Sequence, residues 1–148
     1  MTTAADASDY AELSESLAFK QRLGAVADRV NWLFADITQA NLLPQRYDLW
    51  HDRAVFHFLT LPVQRAAYVQ KVLDAVKPGS HVIMATFGLD GHEKCSGLEI
   101  VRYSSASLQA EFGDRFQLLA TSIELHETPF QPTQQFLYCH FLITKLPM

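Results

Sequence analysis

The densest group of side chains able to do chemistry is His51-Asp52-Arg53, with His57 close behind. A carboxylate and an imidazole in one short segment can hold or move a proton, and a neighbouring guanidinium can hold an anion. Each residue also has a structural reading. Asp52 can cap a turn opening at Ala54–Leu59, and Arg53 can pair with a nearby acid. His57, set between Phe56 and Phe58, can be a buried histidine with its hydrogen bonds met. Two groupings resemble metal ligands: His51 with Asp52 and His57, and His92 with Glu93 and Cys95. Neither has zinc-type spacing, so no metal site is expected. No nucleophile elbow, phosphate-binding loop or catalytic triad pattern is present.

The chain carrying these groups has 148 residues, enough for one domain with a real core. It is 49% hydrophobic and 19% charged, which places it among globular chains rather than disordered ones. A net charge of −4 gives no basic face, so no nucleic-acid partner is expected. No apolar run reaches the roughly 18 residues that a membrane span needs. The segment Met1–Asp9 is small and polar, unlike a signal peptide. Cys95 and Cys139 are too few for a disulfide scaffold, and a cytoplasmic protein is expected.

The elements that must position the chemistry follow from periodicity. Asp9 and Glu12 resemble a cap with its partner, Leu13, Leu17 and Ala18 share a helical face, and Gly24 is a stop. The apolar run Val30–Ile37 reads as a buried strand, and Tyr47–Asp52 as a second. Pro62 opens a helix whose stripe is Val69, Val72, Leu73 and Val76, and Lys77-Pro78-Gly79 ends it. His81–Phe87 is again strand-like. A short helix is expected over Ser105–Phe112. Two longer strands, near Phe116–Leu125 and Gln135–Thr144, are joined by a turn holding Pro129 and Pro132 and must be antiparallel. The expected class is α/β: a sheet parallel in its middle that ends in an antiparallel strand pair.

Several segments in this order resemble class I S-adenosylmethionine-dependent methyltransferases, and within them a bacterial subgroup similar to thiopurine methyltransferases. They are Ala35-Asp36-Ile37, the run from Tyr47-Asp48-Leu49-Trp50-His51-Asp52-Arg53 to Ala54-Val55-Phe56-His57-Phe58-Leu59, and the Lys77-Pro78-Gly79 turn before His81–Phe87. Val101-Arg102-Tyr103-Ser104 and Gln135-Phe136-Leu137-Tyr138 extend the likeness. The resemblance implies a partial doubly wound, Rossmann-like sheet over 1–148, with 1–29 as a helical segment and 30–145 as the family-like core. It implies S-adenosylmethionine as cofactor, lying across the carboxyl ends of the parallel strands. Asp36 would meet the adenine amino group, Ile37 the adenine ring, and Glu12 the ribose hydroxyls. Arg53 would lie beside the cofactor's methionine part, with His51, Asp52 and His57 placed for positioning or proton transfer to a small-molecule substrate.

The chain departs from the family in one respect. It has no Gly-x-Gly turn, and Gly24 is its only glycine before Gly79. No segment before Val30 reads as a strand, so the family's front end is expected to be missing. Two functions follow: methyl transfer to a small molecule, or a truncated, non-catalytic module for binding or self-association. An incomplete sheet leaves open edges, so a homodimer is expected.

Overall fold

The computed structural model describes residues 2–5, 10–129 and 131–146, and the chain divides into two units, Met1–Leu42 and Leu43–Met148. The first unit holds strand β1 (Thr2–Ala5), helix α1 (Tyr10–Leu23), a 3-10 turn (Gly24–Arg29) and strand β2 (Asn31–Phe34). β1 and β2 pair in parallel, from Thr2 opposite Asn31 to Ala5 opposite Phe34. This corrects the expectation that no strand precedes Val30. Four short residues carry no hydrophobic alternation, so β1 is defined by its pairing and not by its own pattern. Gly24, at φ +59°, takes the left-handed conformation that ends α1. The expected cap, Asp9, lies outside the described residues. β2 stops short of Ile37 because the Asp36 carboxylate turns the chain, accepting from the Thr38 amide at 2.9 Å and its hydroxyl at 2.8 Å.

The second unit runs through strand β3 (Tyr47–Arg53), a 3-10 turn (Phe56–Phe58), helix α2 (Pro62–Ala75) and strand β4 (Val76–Phe87). Short strands β5 (Lys94–Cys95) and β6 (Leu98–Glu99), helix α3 (Ser105–Phe112), and long strands β7 (Phe116–Thr128) and β8 (Gln131–Ile143) complete it. The main sheet has the order β3-β4-β8-β7. β3 and β4 are parallel, whereas β8 is antiparallel to both its neighbours. The fold is α/β, with a parallel pair leading into a C-terminal antiparallel hairpin. Two details differ from expectation. Val76 opens β4 instead of closing the helix, and the chain stays extended through Lys77-Pro78-Gly79, with a register shift opposite Tyr47 and Leu49. Gly79, at φ +86°, absorbs the distortion. Pro132 lies inside β8, not in the turn.

Alternation along the strands sorts the side chains onto two faces. Toward the helices point Val82, Met84, Phe141 and Ile143, all essentially inaccessible, and they meet Tyr68 and Val72 of α2 and Leu108 and Phe112 of α3. Phe112 anchors this core: its ring stacks on Phe141 at 5.5 Å and meets Phe56, Tyr68 and Phe116 within 6.3 Å. Each such buried aromatic contributes on the order of 2–3 kcal/mol. The register puts Leu49, His51, Arg53, His81, Ile83, Tyr138 and His140 on the other face. There, Cys95 and Ile100 pack on Ala85, Phe87 and Phe136.

Candidate functional site

The carboxyl ends of β3 and β4 carry the residues singled out by the sequence, and hydrogen bonds tie these ends to one another. Trp50 and Asp52 point toward α2, while His51 and Arg53 point to the opposite face. After Arg53, Ala54 adopts φ +64° and donates its amide to Ala85 O at 2.8 Å. That left-handed step turns the chain so that Asp52 receives the amides of Val55 at 2.9 Å and Phe56 at 3.0 Å. The second carboxylate oxygen also accepts the Tyr68 hydroxyl, which in turn accepts from Trp50 Nε1 at 2.9 Å. Asp52 is 5% exposed. Burial raises its carboxyl above the ordinary aspartate value and outweighs the opposing effects of the three donors and of His51. The same burial, reinforced by Asp52, holds the Tyr68 phenol well above its ordinary value.

His57 is fully buried, between Phe58 and Phe87. Its Nδ1 accepts the Phe87 amide at 3.2 Å, so in the neutral ring the proton sits on Nε2. Nε2 has no partner. Burial lowers the imidazole's pKa from 6.5 to about 4, leaving it neutral at pH 7. The His57 carbonyl accepts from Val101 at 2.8 Å, and the Phe87 carbonyl from Tyr103 at 3.1 Å. The ends of β3 and β4 and the segment 101–103 are therefore held as one piece.

The structure thus separates the three residues expected to handle protons. Asp52 is engaged by three donors, His57 offers a hydrogen-bond donor and not a base, and His51 is exposed on the other face. Arg53 donates Nε to the Tyr138 hydroxyl at 3.2 Å and lies 4.5 Å above the Phe136 ring, an exposed cation at the strand end. In the first unit, Asp36 is exposed within its turn and Ile37 is half-buried. Glu12 lies in α1, but its side chain is outside the described residues. Among the described residues, no group of three or more His, Cys, Asp or Glu gathers to hold a metal.

Four further residues shape this edge, two of which, Arg102 and Gln135, the family likeness already included. Gln135 Oε1 accepts the Asp90 amide at 3.1 Å, and Gln134 Oε1 that of His92 at 3.0 Å. Arg102 donates to the carbonyls of Leu89 and Gly91, both at 3.0 Å. A Cβ at Gly88 would push the Gln135 amide from its place on the Asp90 amide. Tyr103 packs its ring against Phe56 at 5.7 Å. Its buried hydroxyl has no partner among the described residues, and burial together with Glu111 pushes its pKa to about 12. The signal for Gln134 and Gln135 was slight: two polar residues in succession at the mouth of an apolar strand.

Compared with known proteins, the chain matches no protein-family model and no curated protein. Its structure, however, is similar to solved methyltransferases. A SAM-dependent methyltransferase from Methanosarcina mazei superposes with a TM-score of 0.71 at 14% identity, over 97% of this chain and 82% of that one. The N-methyltransferase NodS from Bradyrhizobium japonicum, in complex with S-adenosyl-L-homocysteine, gives 0.67 at 11%, over 97% of this chain and 66% of that one. The 1,6-didemethyltoxoflavin-N1-methyltransferase from Burkholderia thailandensis, with its substrate and S-adenosylhomocysteine bound, gives 0.64 at 14%, over 96% and 71%. The chain has the fold of these SAM-dependent methyltransferases and spans about two thirds to four fifths of their length. Among the described residues no helix is long and apolar enough to cross a membrane.

Proposed function

We propose that this chain is a methyltransferase-like protein that takes S-adenosylmethionine at the carboxyl ends of β3 and β4 and serves a small-molecule acceptor that needs no strong base. The observation that carries the reading is the exposed guanidinium of Arg53 at those ends, in a chain with the fold of SAM-dependent methyltransferases. Arg53 would hold the cofactor's carboxylate, and buried His57 would brace the strand ends beneath it through the Phe87 amide. The residues present fit the cofactor in this respect. When bound, it supplies a methyl group already activated on a sulfonium.

Asp52 then acts as a positioning residue. With Tyr68 it fixes the turn that follows Arg53, so the guanidinium's strand end is held in place before any ligand arrives. An acceptor that must lose a proton has to pass it to solvent or to exposed His51. The assignments of Asp36, Ile37 and Glu12 to the adenosine rest on the family resemblance alone. The thiopurine-like subgroup and a cytoplasmic setting remain part of the proposal, the latter supported by two free cysteines.

A second reading is a non-catalytic binding or homo-oligomeric module. It is favoured by the lack of a Gly-x-Gly turn and by the commitment of Asp52 to the fold. The unpaired edge at β3, with Leu49 53% exposed, supports self-association. Calorimetric titration with S-adenosylmethionine and S-adenosylhomocysteine separates the two readings. Micromolar binding weakened about tenfold or more in Arg53→Ala and Asp36→Ala supports the cofactor reading. An absence of heat and of thermal shift at millimolar ligand rejects it. Light scattering that finds only monomer at high concentration rejects self-association.

A further inference from the structure

The sheet face opposite α2 and α3 carries two histidines that none of the roles above uses. His81 of β4 stands opposite Leu142, and His140 of β8 stands opposite Ile83, so the two are diagonal neighbours across one ladder. His81 Nδ1 lies 2.9 Å from His140 Nε2, with ring centroids 5.0 Å apart and planes tilted by 43°. His81 is exposed and His140 half-buried. We propose that His81 and His140 form a two-imidazole chelating site for a divalent transition metal, with a preference for Cu2+ or Ni2+.

Imidazole nitrogen is the donor such metals favour, and two of them converge here from adjacent strands whose pairing fixes the distance between their Cβ atoms. The 2.9 Å contact is a hydrogen bond between the two rings, which a metal bound by both would replace, and the affinity order of first-row divalent ions at nitrogen sites favours Cu2+ and Ni2+. An outward turn of each ring about its terminal torsion, a soft motion, aims both lone pairs at one point without moving the backbone. A groove of about 150 Å³, lined by Ile83, Ala120, Ser122, Tyr138 and His140 among others, adjoins the His140 side of the pair. It leaves room for water or a small anion to fill the remaining coordination positions. The site is independent of the methyl-transfer proposal, because it lies in mid-strand on β4 and β8 and uses neither Arg53 nor His57.

The test uses the whole chain, with Cu2+ and Ni2+ as probes. Titration of Ni2+ is expected to give one ion per chain, and the electron paramagnetic resonance of the Cu2+ form is expected to show two imidazole nitrogens. His81→Gln and His140→Gln should each remove one nitrogen from the spectrum. Each should weaken binding by at least the roughly 10–100-fold that losing even an outer-shell partner costs. His126→Gln, changed as a control on β7, should alter neither quantity. If a variant does not fold, carbethoxylation of the unaltered chain decides instead. Ni2+ should then protect His81 and His140 and leave His126 reactive. Unchanged affinity in both folded single variants, or equal modification with and without Ni2+, overturns the site.

Discussion

Acid should destabilise this fold through His57, by an amount that follows from its environment. The imidazole has an ordinary pKa of 6.5, and burial lowers it to about 4 in the folded chain. Between those values the unfolded chain binds a proton that the folded chain does not, so stability rises with pH across the window and is lost as pH falls through it. Linkage over that interval gives a loss of about 2 kcal/mol between pH 7 and pH 5, approaching about 3 kcal/mol at full protonation. Asp52 acts in the opposite sense. Its raised carboxyl pKa makes the folded chain the tighter proton binder above 3.8, so its contribution falls as pH rises. The two slopes partly offset each other in the native chain, and a variant must separate them. His57→Gln keeps an acceptor for the Phe87 amide and removes the titration. Urea unfolding of both chains at several pH values between 7 and 4.5 gives the difference in free energy directly. The difference should shift by about 2 kcal/mol between pH 7 and pH 5, with the native chain losing more. Parallel pH profiles for the two chains would mean that His57 is not buried as a neutral ring, and the tautomer assigned to it would fall with that result.

Three further outcomes are expected from the same unfolding assay. Asp52→Ala strands the amides of Val55 and Phe56 and the Tyr68 hydroxyl, and should cost about 3–5 kcal/mol. Tyr68→Phe alone should cost about 1–2 kcal/mol, and the double variant less than the sum, because one stranded group is then absent. Fully additive losses would refute a shared network. Ala54→Val should cost about 2 kcal/mol or more, because a β-branched residue resists φ +64°, whereas Ala54→Gly should stay within about 1 kcal/mol of the native chain. Phe112→Ala removes the ring shared by α2, α3, β7 and β8 and should cost about 3–5 kcal/mol. A loss below about 1 kcal/mol would show that the cluster is not the centre of the core.

How much was legible depended on whether the informative pattern was local. The helix Ser105–Phe112 is found at its expected bounds because Ser104 caps it, accepting from the Ser107 amide at 3.1 Å, and Gly113 ends it at φ +89°. Strands β3, β4, β7 and β8 were visible as apolar runs, and the short join made the last pair antiparallel. β1 was hidden because Thr2–Ala5 has no side-chain pattern and exists as a strand only beside β2. At the site, the cap reading of Asp52 could be weighed from the turn that follows it. Its hydroxyl partner could not, since Tyr68 comes sixteen residues later on a helix whose rotation the sequence leaves open. His81 and His140 are 59 positions apart, and only the β4–β8 register brings them together.

The position of β8 bears on how the chain reaches this state. It lies between β4 and β7 although it follows both in the sequence. Until it arrives, β4 can pair only with β3, and the partner of Met84, Cys139, is still more than fifty residues away. Because β7 pairs with β8 alone, the two strands join as a hairpin, and the last step of assembly is the docking of that hairpin, through β8, onto the open edge of β4. A long loop must close before that pairing offers any stabilisation, which makes the step late and slow. Throughout the delay Val82, Met84 and Phe87 border an open hydrogen-bonding edge, the kind of surface that a second unfinished chain can capture. The arrangement that seals the core of the finished molecule also makes its nascent form depend on protection from its own copies.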